Sequence, residues 1–281
     1  MRRSSARFSS TLSSHYGGVR QVYDQAPFYA PGPYEAWLVE ACLSRLGLSA
    51  SHALADLGGG SGAFATKLKE HAGARWLSVI EPSAEMITGA DTNPLVDEAV
   101  VADALSWAEG GSGDGGEKIG VNTASAERRF DRVLLKEMVH HISDDLRPHV
   151  FRQLRERRLT PEDGRVLIVT RPQREIDYPL WNAAYDVWAQ NQPSEADLVQ
   201  ELREAGYGSV DVHLHSYPHE VPLDEWRRLV RGRFWSTFSN FTDAELEVGC
   251  AHIGARSDAD GMLRFEDRLL LIDAAASNGQ R

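Results

Sequence analysis

Cysteine is scarce in this chain: among 281 residues only Cys42 and Cys250 carry thiols, 208 positions apart. Two thiols so spaced form neither a zinc framework nor the disulfide lattice of a small secreted domain, and a reduced compartment suits them best. Long apolar runs are also missing. The longest fall far short of the about 20 residues a membrane-spanning helix needs, so a water-soluble chain with no membrane partner is expected. Positive charge is in short supply, with 30 Lys and Arg against 41 Asp and Glu and a formal net charge of −11. That balance repels the phosphates of nucleic acid, and no nucleic-acid partner is expected. Composition sets no oligomeric state.

What is present is ordinary globular usage, 42% hydrophobic and 25% charged, enough for a sizeable core. Residues 1–23 stand apart, with Arg2, Arg3, Arg7 and Arg20, many serines and no acid before Asp24. An organelle transit peptide has this composition, and so has a disordered polar tail. The first reading places the protein in a mitochondrion or plastid, the second in the cytoplasm. Residues 24–275 read as a single domain.

Strands and helices alternate from residue 34 onward. A helix over 34–46 ends at Gly47. Strands are expected at Ala53–Leu57, Trp76–Ile80, Ala99–Ala102, Arg132–Leu135 and Arg165–Thr170, with helices at Gly62–His71, after Ser83, and at Asp144–Leu159. Such alternation implies a parallel sheet covered on both faces. Residues 108–129 carry six glycines and little branched aliphatic side chain, the composition of a surface insertion. Further on, Trp181, Tyr185 and Trp188 mark one face of a helix, and Glu195–Ala205 is another. Ser209–His215 alternates with Val210, Val212 and Leu214 on one side, 216–261 reads as helical, and Phe265–Asp273 is a seventh strand. Residues 173–200 and 216–261 are thus helical additions to the sheet.

The most informative segment is Asp56-Leu57-Gly58-Gly59-Gly60-Ser61-Gly62-Ala63, a strand running through glycines into a helix. Glycines there let a ligand approach the backbone and the helix N-terminus. Gly58, Gly60 and Ala63 satisfy the loose dinucleotide pattern, so a nicotinamide or flavin has to be weighed. Asp56 argues against it, because a carboxylate at that strand end repels a pyrophosphate and suits an ammonium group. S-adenosylmethionine carries such an ammonium and no phosphate. Glu81, about 20 residues past the glycines at the second strand end, can accept ribose hydroxyls from either ligand. Asp103, at the third strand end, can accept from an adenine amino group beside the amide of Ala104. Singly, each acid has a plain alternative at a helix N-terminus.

On these residues the sequence resembles the class I S-adenosylmethionine-dependent methyltransferases, in particular the small-molecule group with a type 11 core. Asp56 to Gly62 resembles that family's D/E-x-G-x-G-x-G loop. Glu81-Pro82-Ser83-Ala84-Glu85-Met86 is similar to its ribose-binding strand end with the adenine-contacting Met, and Asp103-Ala104 to its adenine-binding acid. Phe130 to Ile142 resembles the fourth-strand segment, although Lys136 stands where smaller residues are frequent. The resemblance implies a Rossmann-like, seven-stranded, mostly parallel sheet with an antiparallel last strand. It implies S-adenosylmethionine as cofactor, S-adenosylhomocysteine as product, and a small-molecule acceptor methylated at O, N or C. Tyr16, Tyr23, Asp24, Phe28 and Tyr29 resemble its lid over the cofactor, and a packed N-terminal arm would read the same. The alternatives are an NAD(P)-dependent oxidoreductase and a non-catalytic S-adenosylmethionine-binding protein.

Methyl transfer from a sulfonium is an in-line displacement in which the protein aligns three atoms and excludes water. A base is required only where the acceptor arrives protonated, and His140 and His141, past the fourth strand, are the candidates. His141 can equally fix the turn it sits in. Lys136 can reach an acceptor carboxylate, lie over the cofactor, or pack along the sheet rim. Trp181, Tyr185 and Trp188 can line an acceptor pocket or simply fill a core. Arg227, Arg228, Arg231 and Arg233 can clamp an anionic acceptor or form a solvated helix face. His213 and His215 share a strand face without a third metal ligand, and no metal site is expected.

Overall fold

The computed structural model of the chain describes residues 32–110 and 128–277. The segment 1–23, the expected lid residues Tyr16, Tyr23, Asp24, Phe28 and Tyr29, and nearly all of 108–129 lie outside them. Among the described residues no helix is long and apolar enough to cross a membrane.

The elements run, in chain order, α1 (Pro33–Leu46), β1 (Ala53–Leu57), α2 (Ala63–Ala72), β2 (Trp76–Glu81), α3 (Ala84–Asp91), β3 (Glu98–Val101), α4 (Ala104–Ala108) and β4 (Arg132–Lys136). There follow α5 (Arg147–Gln153), β5 (Arg165–Thr170), α6 (Asn182–Asn191), α7 (Glu195–Glu204), β6 (Ser209–Pro222), α8 (Leu223–Arg231), α9 (Asp243–Gly254) and β7 (Met262–Ala275). The seven strands form one sheet in the order β3-β2-β1-β4-β5-β7-β6. Five neighbours from β3 to β5 pair in parallel, and β7 runs antiparallel to β5. This is the Rossmann-like arrangement with an antiparallel last strand. The described residues divide into two compact units, one of 37–110, 128–170, 195–213 and 270–277, the other of 32–36, 171–194 and 214–269.

In the larger unit every residue of β1 is buried, as a central parallel strand covered on both faces requires. Alternate residues sort the faces. Ala53, Ala55 and Leu57 of β1, Val133 and Leu135 of β4, Val166 and Ile168 of β5, and Ile272 and Ala274 of β7 belong to one core with Phe151 of α5 and Leu198 and Leu202 of α7. Leu54, Asp56, Leu134 and Lys136 therefore face the other way. Arg147, itself buried, holds α5 to α7 through a two-pronged pair with Glu201, at 2.6 and 2.7 Å.

The expected helix 144–159 is shorter. It starts at Arg147, and its last turn, 154–158, widens so that the Leu159 N–H reaches the Leu154 carbonyl. The widening brings the Arg158 guanidinium onto the Trp107 carbonyl, at 2.7 Å from Nε.

In the smaller unit the expectation that 216–261 is helical fails at its start. Residues 216–222 continue β6, because Tyr217, His219 and Val221 alternate inward along it. The inward set changes phase between Val212 and Tyr217, so Leu214, expected beside Val210 and Val212, is 59% exposed. The remainder, α8, a short 3-10 turn at Ser236–Asn240 and α9, is helical as expected. Thr242 and Glu245 form the capping box at the start of α9 that their spacing predicts.

Candidate active site

The glycine loop is shaped by backbone angles only glycine adopts easily. Gly58, Gly60 and Gly62 have φ of 74°, 56° and 74°. Gly59 is required for a different reason: a Cβ there would lie 2.5 Å from Asp56 Oδ2 and 2.7 Å from Asp56 Cγ, so the loop can pass over the carboxylate only without a side chain. The N–H groups of Gly58 and Gly59 both donate to the Ile80 carbonyl, at 2.7 and 3.1 Å, tying the loop to β2.

Glu81 completes this tie. Its Oε2 accepts from the Gly60 N–H at 3.1 Å, and its Oε1 accepts from the Ser83 N–H at 3.0 Å. Burial pushes this carboxyl above its ordinary range, while the two amides hold it down. Sequence reasoning casts Glu81 as a ribose acceptor. The structure adds a clasp between the glycine loop and the start of α3, and leaves further lone pairs on each oxygen. Ser83 caps α3 by accepting from the Met86 N–H, as expected, and Met86 Cε lies 3.2 Å from where a Gly60 Cβ would stand. Glu81, Met86 and the glycine loop are thus brought together, with Pro82 exposed between them. Glu81→Gln should destabilise the larger unit by about 1–3 kcal/mol, because an amide nitrogen would face a backbone N–H. Urea unfolding followed by far-UV circular dichroism measures it.

Asp103 is placed differently. It is exposed, and its carboxylate caps α4, accepting from the Ser106 N–H at 2.9 Å and the Ser106 hydroxyl at 2.7 Å. The helix-terminus reading holds for this acid in the ligand-free protein. Ala104 begins that helix, and the Ala102 N–H donates to the Glu81 carbonyl, so the ends of β2 and β3 stay adjacent.

Asp56 is buried, and among the described residues its Oδ1 has no hydrogen-bond partner. Burial pushes its carboxyl up to about 7; Lys136 acts to lower it and Glu81 to raise it further. A buried carboxylate with an unpartnered oxygen is unfavourable unless a cation or donor comes to it. An ammonium group meets that need, whereas a pyrophosphate would add a like charge. Lys136 Nζ lies 4.9 Å from the Phe64 ring centroid. Cys42 of α1, the third group coupled to Asp56 and Lys136, has its thiol pushed up to about 12 by burial, so it stays protonated.

At the end of β4, Glu137 has φ of 55°, the left-handed region that costs an ordinary residue about 1 kcal/mol or more. Beyond it, Met138 packs against Gly58, and Val139–His141 form a single 3-10 turn. The rings of His140 and His141 meet at 4.1 Å. Burial, and then His141, pushes His140 well below the usual imidazole range, so it stays neutral, and among the described residues its Nδ1 has no partner. A neutral imidazole so placed can accept a proton, though weakly. Residue type did not single out Glu137, Cys42 or Phe64, since their involvement comes from backbone angle and cross-sheet proximity.

Two other sets have structural partners. Arg228 pairs with Glu225, Arg231 with Glu247, Arg233 with Asp243 and Arg227 with Asp224, all at a solvated surface, the second of the two readings given for them. In the smaller unit Trp181 packs on Gly249, the Trp188 indole donates to the Pro172 carbonyl and the Tyr185 hydroxyl to the Tyr178 carbonyl, so this aromatic face is core. His213 Nε2 lies 3.3 Å from Asp273 Oδ2.

The chain matches, over residues 38–212, the family described as "Methyltransferase domain". It belongs to that family, and so to the S-adenosylmethionine-dependent methyltransferases. No curated protein matches it in sequence. Solved structures similar to it include a candidate methyltransferase of an antibiotic biosynthesis pathway from Anabaena variabilis, with a TM-score of 0.57 and 19% identity over 85% of this chain and 96% of that one. Another is Haemonchus contortus phosphoethanolamine N-methyltransferase 2 in complex with S-adenosyl-L-methionine, with a TM-score of 0.57 and 16% identity over 97% of this chain and 60% of that one. The cyclopropane synthase MmaA2 of Mycobacterium tuberculosis is a third, with a TM-score of 0.53 and 13% identity over 90% and 88%. At such identities these likenesses establish the fold. The family membership decides against the nicotinamide-dependent reading.

Proposed function

We propose that the protein moves the methyl group of S-adenosylmethionine to O, N or C of a small organic acceptor by in-line displacement. The buried Asp56 carboxylate, with Oδ1 unpartnered among the described residues beneath the Gly59 backbone, where no side chain fits, supports this most directly. When bound, the cofactor supplies an electrophilic methyl on a sulfonium. Asp56 offers its counter-charge to the ammonium, Gly58 to Gly62 admit the ligand to the backbone, and the spare lone pairs of Glu81 receive the ribose hydroxyls. Met86, Asp103 and Ala104 border the adenine. His141, or the neutral His140, takes the proton from an acceptor that arrives protonated.

Thermal stabilisation and calorimetry with S-adenosylmethionine, S-adenosylhomocysteine and NADH in parallel test the reading. The first two should stabilise the protein by about 2.7 kcal/mol at a hundred times their Kd, and NADH should not. Stabilisation by NADH alone overturns the assignment. Binding without turnover across a broad acceptor panel favours the non-catalytic alternative.

A further inference from the structure

The sheet register places Lys136 relative to Asp56. Asp56 pairs with Leu134 across the parallel β1–β4 ladder, so the two side chains share a face. Lys136, two residues beyond Leu134, shares it too, about 7 Å further along the strand. The carboxylate is confined, since the Gly59 backbone passes over Oδ2 and Oδ1 is buried without a hydrogen-bond partner among the described residues. Its charge is therefore balanced through space. Three titratable groups interact with its charge: Glu81 at the end of β2, Cys42 of α1 and Lys136 of β4, the last on the same sheet face by register. Glu81 opposes ionisation, and the protonated thiol of Cys42 brings no charge. Lys136 is the cation of this set, and the face of Phe64 lies within cation–π range of its ammonium.

We propose that Lys136 is a positioning residue that lowers the pH at which Asp56 ionises and so sets the pH range over which the cofactor's ammonium is accepted. This rests on the reading of Asp56 as the ammonium acceptor. A protonated Asp56 has no charge to offer, so affinity is level where it is ionised and falls about tenfold per pH unit below its midpoint. Removing the lysine moves that midpoint upward. It also removes a like charge from the path of a cationic ligand, so above the new midpoint the affinity should match or exceed that of the wild type.

The test is calorimetric titration of wild type, Lys136→Met and Lys136→Arg with S-adenosylhomocysteine between pH 5.5 and 8.5. Alongside it, the Asp56 carboxyl is titrated by carbon-13 NMR in the ligand-free proteins, assigned with Asp56→Asn. In Lys136→Met the midpoint should rise by about one unit or more, affinity at pH 7 should fall about fivefold or more, and the gap should close as pH rises. Lys136→Arg should restore the wild-type profile. Equal loss at every pH with an unmoved midpoint would mean that Lys136 holds the ligand directly or merely packs, and overturns the proposal. Absence of binding by the wild type at every pH would sink the reading of the site, while the NMR titration would still decide whether Lys136 governs Asp56.

Discussion

Asp56→Asn is expected to make the protein more stable above pH 7 while sharply weakening cofactor binding. In the unfolded chain this carboxyl ionises near its ordinary value of 3.8, whereas burial in the fold pushes it up to about 7. Below both values the folded and unfolded states carry the same proton and nothing is lost. Between them the unfolded state releases its proton first, so stability declines as pH rises, and above the folded value the loss is complete. Each unit of separation corresponds to about 1.4 kcal/mol, so up to ~4 kcal/mol is recovered by a neutral isostere at pH 8. Affinity for S-adenosylhomocysteine should fall by about a hundredfold or more, since removing one partner of a buried charge pair costs about 2–5 kcal/mol. Thermal melts from pH 5 to 9, with calorimetry at pH 8, check both. A variant that melts no higher than wild type at pH 8 and still binds would remove Asp56 from the site. Such opposition between stability and binding is expected of a functional residue.

The second large effect belongs to the smaller unit. Asp267, fully buried, accepts from the Tyr34 hydroxyl at 2.6 Å, from Arg171 at 3.1 and 3.2 Å, and from the Tyr178 hydroxyl. Burial acts to raise its carboxyl, but Arg171 and the hydrogen bonds from Tyr178 and Tyr34 outweigh it and hold the group below its ordinary range. His219 stacks on Phe265 beside this network, and burial pushes its imidazole down to about 4, so it adds no second cation at neutral pH. Asp267→Asn should cost about 3–5 kcal/mol at pH 7, because Arg171 is left buried without its counter-charge. A depressed carboxyl contributes its stability above the unfolded value and loses it as pH falls through the folded one. The difference between wild type and variant should therefore be full at pH 7 and shrink in acid. Urea titrations followed by tryptophan fluorescence at pH 7 and 3.5 read this out, since Trp181, Trp188, Trp226 and Trp235 all lie in this unit. An equal difference at both pH values would show that packing, not charge, carries the effect.

Much of the fold was legible because its signals are local. Short continuous apolar runs marked β1, β2, β4 and β5, and Gly47 and Gly206 closed α1 and α7. The Ser83 and Thr242 caps could be read from spacing, since a cap is satisfied within three residues of itself. The glycine loop was legible for the same reason, because positive φ is a property of the residue that adopts it.

The rest depended on partners far away in sequence or on backbone groups that no residue type announces. Glu81 reads as a free acceptor until the amides of Gly60 and Ser83 are seen on it, and Asp103 reads as an adenine partner until Ser106 is seen to use it. The strand at 216–222 looks helical in isolation, since only a partner strand makes an extended segment worthwhile. Residue type and spacing alone determined the sheet class, the glycine loop and the acid at the end of β1, because each rests on covalent geometry and short-range periodicity. Tertiary structure decided which carboxylate is buried, which cation faces it and which arginines are already paired, because burial and charge depend on strand register and on segments tens of residues away.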